Sequence, residues 1–245
     1  MENHRTEPHR IADAYTITLT DGPALDEAAY ESVIRSDFQE HYADGRDIWT
    51  EERAMREVPR LLVEALSRAR GGVGDAHVLD VGTGRGRDAE IVLAAGHRVT
   101  GIDLVSSPEW AVIGRREPGR ARFLAVSASE LEETGVYNAV LDNGCLHHQH
   151  PDGYPRYLRR IRELLCPGGL FTVSVFEAVG ATGRLYTNGG QRLYREFTAE
   201  ELHSLVTAHG FETVATHRVP RDIEGLTYLV GVYRVPGSAA PGTAR

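Results

Sequence analysis

Early in the chain, apolar residues recur every three or four positions, most clearly at Met55, Val58, Leu61, Leu62, Ala65 and Leu66, the spacing of one buried helix face. This pattern runs from Leu25 to Arg70, breaks around Ala43–Gly45 and stops at Gly71-Gly72, so it predicts two or three helices. From His77 onward short apolar runs replace it. Strands are predicted at about 77–81, 97–102, 121–126, 137–142 and 169–176, with helices at about 86–95, 106–116 and 153–165 between them. Such alternation builds a parallel sheet covered by helices on both faces. A helix over 198–208 and two strands over 211–218 and 226–234, near enough to pair antiparallel, complete the pattern.

These periods divide the chain into a flexible tail (1–13), a helical cap (14–72), an α/β domain (73–235) and a second tail (236–245). Residues 177–197 carry glycines, tyrosines and arginines without a firm period. A loop of that length directly after a strand is expected to act as a substrate lid.

Composition narrows the chemistry. With 245 residues the chain is one full domain with an extension. Its 27 basic and 35 acidic residues leave a net charge of -8, which argues against a nucleic-acid footprint. Every basic residue is an arginine, so a Schiff-base lysine and a phosphate-loop lysine are excluded. Cys145 and Cys166 form no Cys-x-x-Cys pair, so neither a disulfide framework nor a cysteine zinc site is predicted, and a reducing compartment is the simpler expectation. The first ten residues are polar and no stretch approaches the ~18 apolar residues of a membrane span, which predicts a cytoplasmic protein without a membrane partner.

The most informative stretch is VLDVGTGRG at 78–86, an apolar strand running at once into glycines and then a helix. Gly82 and Gly84 let the backbone turn tightly and approach a ligand closely. The Gly-x-Gly-x-Gly spacing (82, 84, 86) is not that of dinucleotide binders, and Asp80 just before it would repel a pyrophosphate but attract an ammonium. Asp103 follows at the end of the next strand, where a carboxylate can accept from both hydroxyls of a ribose. The residues describe a pocket for a ribose-bearing cation.

Asp80 through Gly86, followed by the acid at 103, resembles the class I S-adenosylmethionine-dependent methyltransferases over roughly residues 76–234. YNAVLDNGCLHHQH (137–150) is similar to that family's strand ending in an acid or asparagine followed by LHH, and LRRIRELLCPGGLFTVSV (158–175) to its helix, Pro-Gly-Gly turn and fifth strand. Among the branches, the 142–148 motif most resembles the small-substrate, thiopurine- and tellurite-resistance-like enzymes. The resemblance implies a Rossmann-like sheet of seven strands, mostly parallel with the last antiparallel, and S-adenosyl-L-methionine as cofactor. It places Asp80, Gly82, Gly84 and Gly86 at the methionine moiety, Asp103 at the ribose, Leu104, Ala128 and Ser129 at the adenine, and Asp142 and Asn143 near the sulfonium. Where the family usually has an acid after its third strand, this chain has Ser127.

Methyl transfer from a sulfonium is an in-line displacement, so the protein mainly aligns the nucleophile and removes its proton. His147 and His148 are the candidate general bases. With His150 they stand at i, i+1 and i+3, a spacing that does not predict a metal site. Tyr30, Tyr42 and Trp49 from the cap, His150, and Tyr186, Arg192 and Tyr194 from the lid are the candidate substrate contacts. The favoured reading is methylation of oxygen, nitrogen or sulfur on a small molecule, as in secondary metabolism. A non-catalytic cofactor-binding protein is the alternative from another class. A nucleic-acid methyltransferase is disfavoured because Asp142-Asn143-Gly144-Cys145 offers no aromatic to stack a flipped base. An NAD oxidoreductase is disfavoured by Arg87 in place of a glycine. A homodimer is left open.

Overall fold

The structure is a computed structural model that describes residues 17–69 and 75–237. In chain order its elements are β1 (Ile17–Thr20), α1 (Glu27–Ala43), α2 (Glu57–Ala69), β2 (His77–Val81), α3 (Arg87–Ala94), β3 (Arg98–Ile102), α4 (Glu109–Arg116) and β4 (Ala121–Leu124). There follow β5 (Tyr137–Asn143), α5 (Tyr154–Leu164), β6 (Leu165–Glu177), β7 (Leu185–Asn188), β8 (Leu193–Phe197), α6 (Ala199–Thr207), β9 (Glu212–Pro220) and β10 (Thr227–Arg234).

Strands β4, β3, β2, β5 and β6 lie side by side in parallel, then β10 pairs antiparallel with β6 and β9 with β10. That is the expected seven-stranded sheet with its antiparallel final strand. Period-two alternation sends Val78 to one face, against Leu62, Ala89 and Val92, and Leu79 to the other, against Leu158 and Phe171. Both faces are buried, which is why the parallel strands are continuous apolar runs. From β2 the chain first builds outward through β3 and β4, then returns to lay β5 on the other side of β2. This reversal opens a crevice at the carboxyl ends of β2 and β5, the place where open α/β sheets bind ligands.

Three expectations are corrected. The 177–197 segment is not an irregular lid: β7 and β8 form an antiparallel hairpin, β8 joins β6 at Phe176 and Glu177, and β1 adds a third strand along β7. The hairpin escapes a periodicity reading because each strand has only four or five residues. The predicted helical cap therefore begins with a strand, and only α1 and α2 are full helices, joined by short 3-10 turns at Ile48–Thr50 and Ala54–Arg56. Finally, β6 starts at Leu165, before the Pro167-Gly168-Gly169 turn rather than after it. The predicted 1–13 tail, and most of the 236–245 one, lie outside the described residues. Among the described residues no helix is long and apolar enough to cross a membrane.

Candidate active site

One cleft collects residues from α1, the loops after β2, β3, β4 and β5, the hairpin and the β9–β10 loop. At its cofactor end the turn after β2 is held open by positive φ angles at Gly82 and Gly84 (71° and 54°). A Cβ on Gly82 would lie 2.1 Å from Cys145 Sγ, so only glycine lets the two loops meet. Asp103 stands half-buried on the cleft wall, its carboxylate accepting from the Gly84 and Val105 amides at 2.9 and 3.0 Å. Burial pushes that carboxyl above the usual range. Leu104, Val126 and Ala128 form an apolar slot beside it, with the Ser127 and Ser129 hydroxyls 2.7 Å apart. Tyr42 closes the other side, its ring edge-on to Trp49.

Four residues predicted to touch the cofactor are not on the cleft wall: Gly84, whose amide donates to Asp103, and Asp80, Gly86 and Asp142. Asp80 is buried beneath the glycine turn, accepting from the Thr83 hydroxyl at 2.6 Å, and burial beside Asp88 raises its pKa. A side chain on Gly86 would run into Ile113 of α4, so this glycine serves helix packing. Asp142 is fully buried and fixes the turn that follows it: Oδ1 accepts from the Cys145 and Leu146 amides and Oδ2 from the Tyr157 hydroxyl. Burial pushes Asp142 up to about 6. The two carboxylates anchor a turn where the sequence suggested a ligand contact. Asn143 does line the cleft, but its amide is committed to Met55 O, Asp88 and Ser174.

The other end is an aromatic compartment. Phe38, Trp49, Phe176, Tyr194 and Tyr228 wall it, with His147 and His148 between them. His147, 2% exposed, stacks on Phe176 at 3.8 Å, and its buried Nδ1 has no hydrogen-bond partner among the described residues. His148 Nδ1 lies 2.6 Å from the Leu193 carbonyl, so it must carry the proton, which leaves Nε2 as the acceptor. Burial holds both imidazoles well below the usual histidine range, helped for His148 by the charge of Arg192. Two neutral imidazoles therefore face the compartment at neutral pH.

The remaining predicted contacts divide. Tyr30 lines the cleft and braces it, donating to the His148 carbonyl at 2.6 Å and accepting from the Leu193 amide at 3.0 Å. His150 reaches the wall with both nitrogens engaged by backbone, at Leu25 O and Asp152 N. Tyr186 misses the cleft: it sits opposite Tyr194 on β7, one strand farther out, packed with Ile17. Arg192 is neither solvated nor free for a substrate anion. It is 1% exposed, paired with Asp37 at 3.1 Å and bound to the Tyr194 hydroxyl.

Phe38, Glu52, Phe176, Arg221 and Tyr228 also line the cleft and were not singled out from sequence. Glu52 and Arg221 pair from opposite ends of the chain, and no local pattern marks such a pair.

A family model described as a methyltransferase domain matches residues 48–216. Among solved structures, the chain is similar to a Burkholderia thailandensis 1,6-didemethyltoxoflavin-N1-methyltransferase with bound 1,6-didemethyltoxoflavin and S-adenosylhomocysteine. The two are 49% identical with a TM-score of 0.88, over 94% of this chain and 99% of that one. A Methanosarcina mazei S-adenosylmethionine-dependent methyltransferase (20% identity, TM-score 0.55, 66% of this chain and 93% of that one) shares the fold. So does the [4+2]-cyclase SpnF (21%, 0.55, 72% and 81%). No curated protein matches the chain.

Proposed function

Because the chain belongs to the class I S-adenosylmethionine-dependent methyltransferases, we propose that it methylates a ring nitrogen of a small, flat heteroaromatic molecule. The observation that carries this reading is the aromatic compartment continuous with the cofactor cradle, walled by Phe38, Trp49, Phe176, Tyr194 and Tyr228 and entered by His147 and His148. Flat rings favour a flat acceptor, which they hold by offset or edge contacts. The likeness to an N1-methyltransferase of such a heterocycle supports nitrogen as the methylated atom.

The cradle fits the cofactor: Asp103 offers carboxylate oxygens at a height set by two backbone amides, beside the slot of Leu104, Val126 and Ala128. When bound, S-adenosylmethionine supplies a methyl group already activated on its sulfonium. The chain's own contribution is alignment and a base. Phe176 and Tyr194 restrict the acceptor's tilt, and the Leu193 carbonyl fixes the His148 ring so that Nε2 takes the acceptor N–H proton. The Cys145 thiol, raised well above its ordinary range by burial and bonded to the Val81 carbonyl, is no competing nucleophile. The net charge of -8 and the likeness to a small-molecule methyltransferase support a small acceptor rather than a nucleic-acid strand. The two free thiols accord with work in the reducing cytoplasm.

The test is methyl transfer from S-adenosylmethionine by the purified chain to 1,6-didemethyltoxoflavin and, separately, to a panel of phenols and thiols, read by mass spectrometry. N-methylated heterocycle is expected, and exclusive methylation of a phenol or thiol would overturn the reading. His148→Asn is expected to slow turnover by ~10²–10⁴-fold while S-adenosylhomocysteine binds as before. Full turnover in that variant removes the base from His148.

A further inference from the structure

The acceptor compartment holds two buried guanidiniums that are engaged differently. All of Arg192 is committed, to Asp37 and to the Tyr194 hydroxyl. Arg221, in the loop between β9 and β10, has a side chain only 5% exposed and commits just two of its nitrogens. Nε and Nη2 donate to the two Glu52 oxygens at 2.9 and 3.3 Å. The Tyr228 hydroxyl donates to Glu52 Oε2 at 2.7 Å, so three hydrogen bonds hold the carboxylate against the arginine. The guanidinium lies over the rings of Tyr228 and Phe176, 4.7 and 5.0 Å from their centroids. Nη1 has no protein partner among the described residues, and the side chain lines the cleft.

A rigidly held guanidinium whose remaining N–H opens on the cleft is a ready donor to an oxygen of the ligand, and an acceptor ring that displaces solvent there must supply that oxygen or leave the donor unmet. Charge selects the kind of oxygen. Glu52 already neutralises Arg221, so a carboxylate or phosphate would bring negative charge that this arginine no longer offsets. A carbonyl oxygen accepts the bond without that cost. The flanking Phe176 and Tyr228 rings then require the carbonyl to lie in the plane of a flat ring.

Resting on the reading that the acceptor is a flat heteroaromatic, we propose that Arg221 is its specificity-determining residue, with Nη1 donating to the ring-oxo oxygen of a lactam-type heterocycle. The acceptor class is thereby narrowed to planar lactams. Glu52 and Tyr228 act as positioning residues that hold Arg221 in place.

Isothermal titration of the S-adenosylhomocysteine-saturated chain with 1,6-didemethyltoxoflavin reads acceptor affinity, and titration with S-adenosylhomocysteine alone reads the cofactor end. If the wild type binds no 1,6-didemethyltoxoflavin, the heteroaromatic reading itself fails before Arg221 is altered. Given wild-type binding, Arg221→Gln is expected to weaken it by about 10- to 100-fold, with Arg221→Lys intermediate and S-adenosylhomocysteine affinity unchanged in both. Glu52→Gln combined with Arg221→Gln removes the orphaned carboxylate. Recovery of acceptor affinity there would show a merely structural ion pair and overturn the proposal, whereas persistent weakness supports it. As competitors, hypoxanthine and purine differ by one ring oxo group. Hypoxanthine is expected to compete better with the wild type and to lose that advantage in Arg221→Gln, and competition no better than purine's overturns the lactam assignment.

Discussion

At the scale of single residues, the site depends on how burial sets the state of each polar group. Asp103 is the clearest candidate for a cofactor contact, a carboxylate fixed by two amides yet open to the cleft. Asp103→Ala is expected to weaken S-adenosylhomocysteine binding by about 1.5–3 kcal/mol, the range for a hydrogen bond to a charged group, in an isothermal titration. Unchanged affinity would remove the ribose role. His147 carries a pH signature. Burial lowers its folded pKa, so below the unfolded value near 6.5 the unfolded chain binds a proton that the folded one refuses, and stability falls with pH. Relative to His147→Phe, the wild type should lose up to about 1.4 kcal/mol per pH unit below that point, measured as urea midpoints at several pH values. Parallel curves for the two proteins would show an imidazole that protonates freely in the fold.

At the scale of elements, α1 and the hairpin form one wall because a single hydroxyl joins them. Tyr30 on α1 bridges the carbonyl of His148 and the amide of Leu193 on β8. Tyr30→Phe keeps the ring but leaves two buried backbone groups unmet, which should cost about 1–3 kcal/mol in denaturant unfolding and loosen the His148 ring. A loss below a few tenths of that range would show that solvent replaces the hydroxyl. The sequence made some of these elements plain and hid others for physical reasons. The cofactor turn was legible because Gly82 and Gly84 must adopt positive φ and Asp103 must end a strand, all within a short segment. Asp80 and Asp142 were misjudged because a carboxylate that ties down a loop occupies the same register as one that touches a ligand. The Glu52–Arg221 pair and the stack of His147 on Phe176 were invisible, since each forms only when distant segments fold together.

At the scale of the whole molecule, the proposed cofactor cradle and acceptor compartment share one cleft at the point where the strand order reverses, so binding at one end should report on the entire fold. S-adenosylhomocysteine at ~100 times its dissociation constant adds ~2.7 kcal/mol to the folded state, which for a chain of this size raises the melting temperature by roughly 5–10 °C. NAD should produce no shift, because the Gly82-x-Gly84-x-Gly86 turn lacks the Gly-x-Gly-x-x-Gly spacing that brings a dinucleotide's pyrophosphate onto a helix N-terminus, and position 87 is an arginine paired with Asp88. A shift with NAD and none with S-adenosylhomocysteine would refute the cofactor assignment.

Strand β1 carries a consequence for how the protein comes into being. Its Ile17 pairs with Asn188 across 171 residues of sequence (188 minus 17), whereas the cofactor cradle draws on β2, β3 and β5 within 77–145. A ribosome therefore releases a complete cradle while β1, made first, still waits for its mate. Closing so long a loop comes late and at an entropic cost. The nascent chain thus carries Ile17–Thr20 as an unpaired strand edge for most of its synthesis, a ready target for chaperones. Its capture by β7 completes the small sheet whose β8 strand carries Tyr194 to the acceptor compartment.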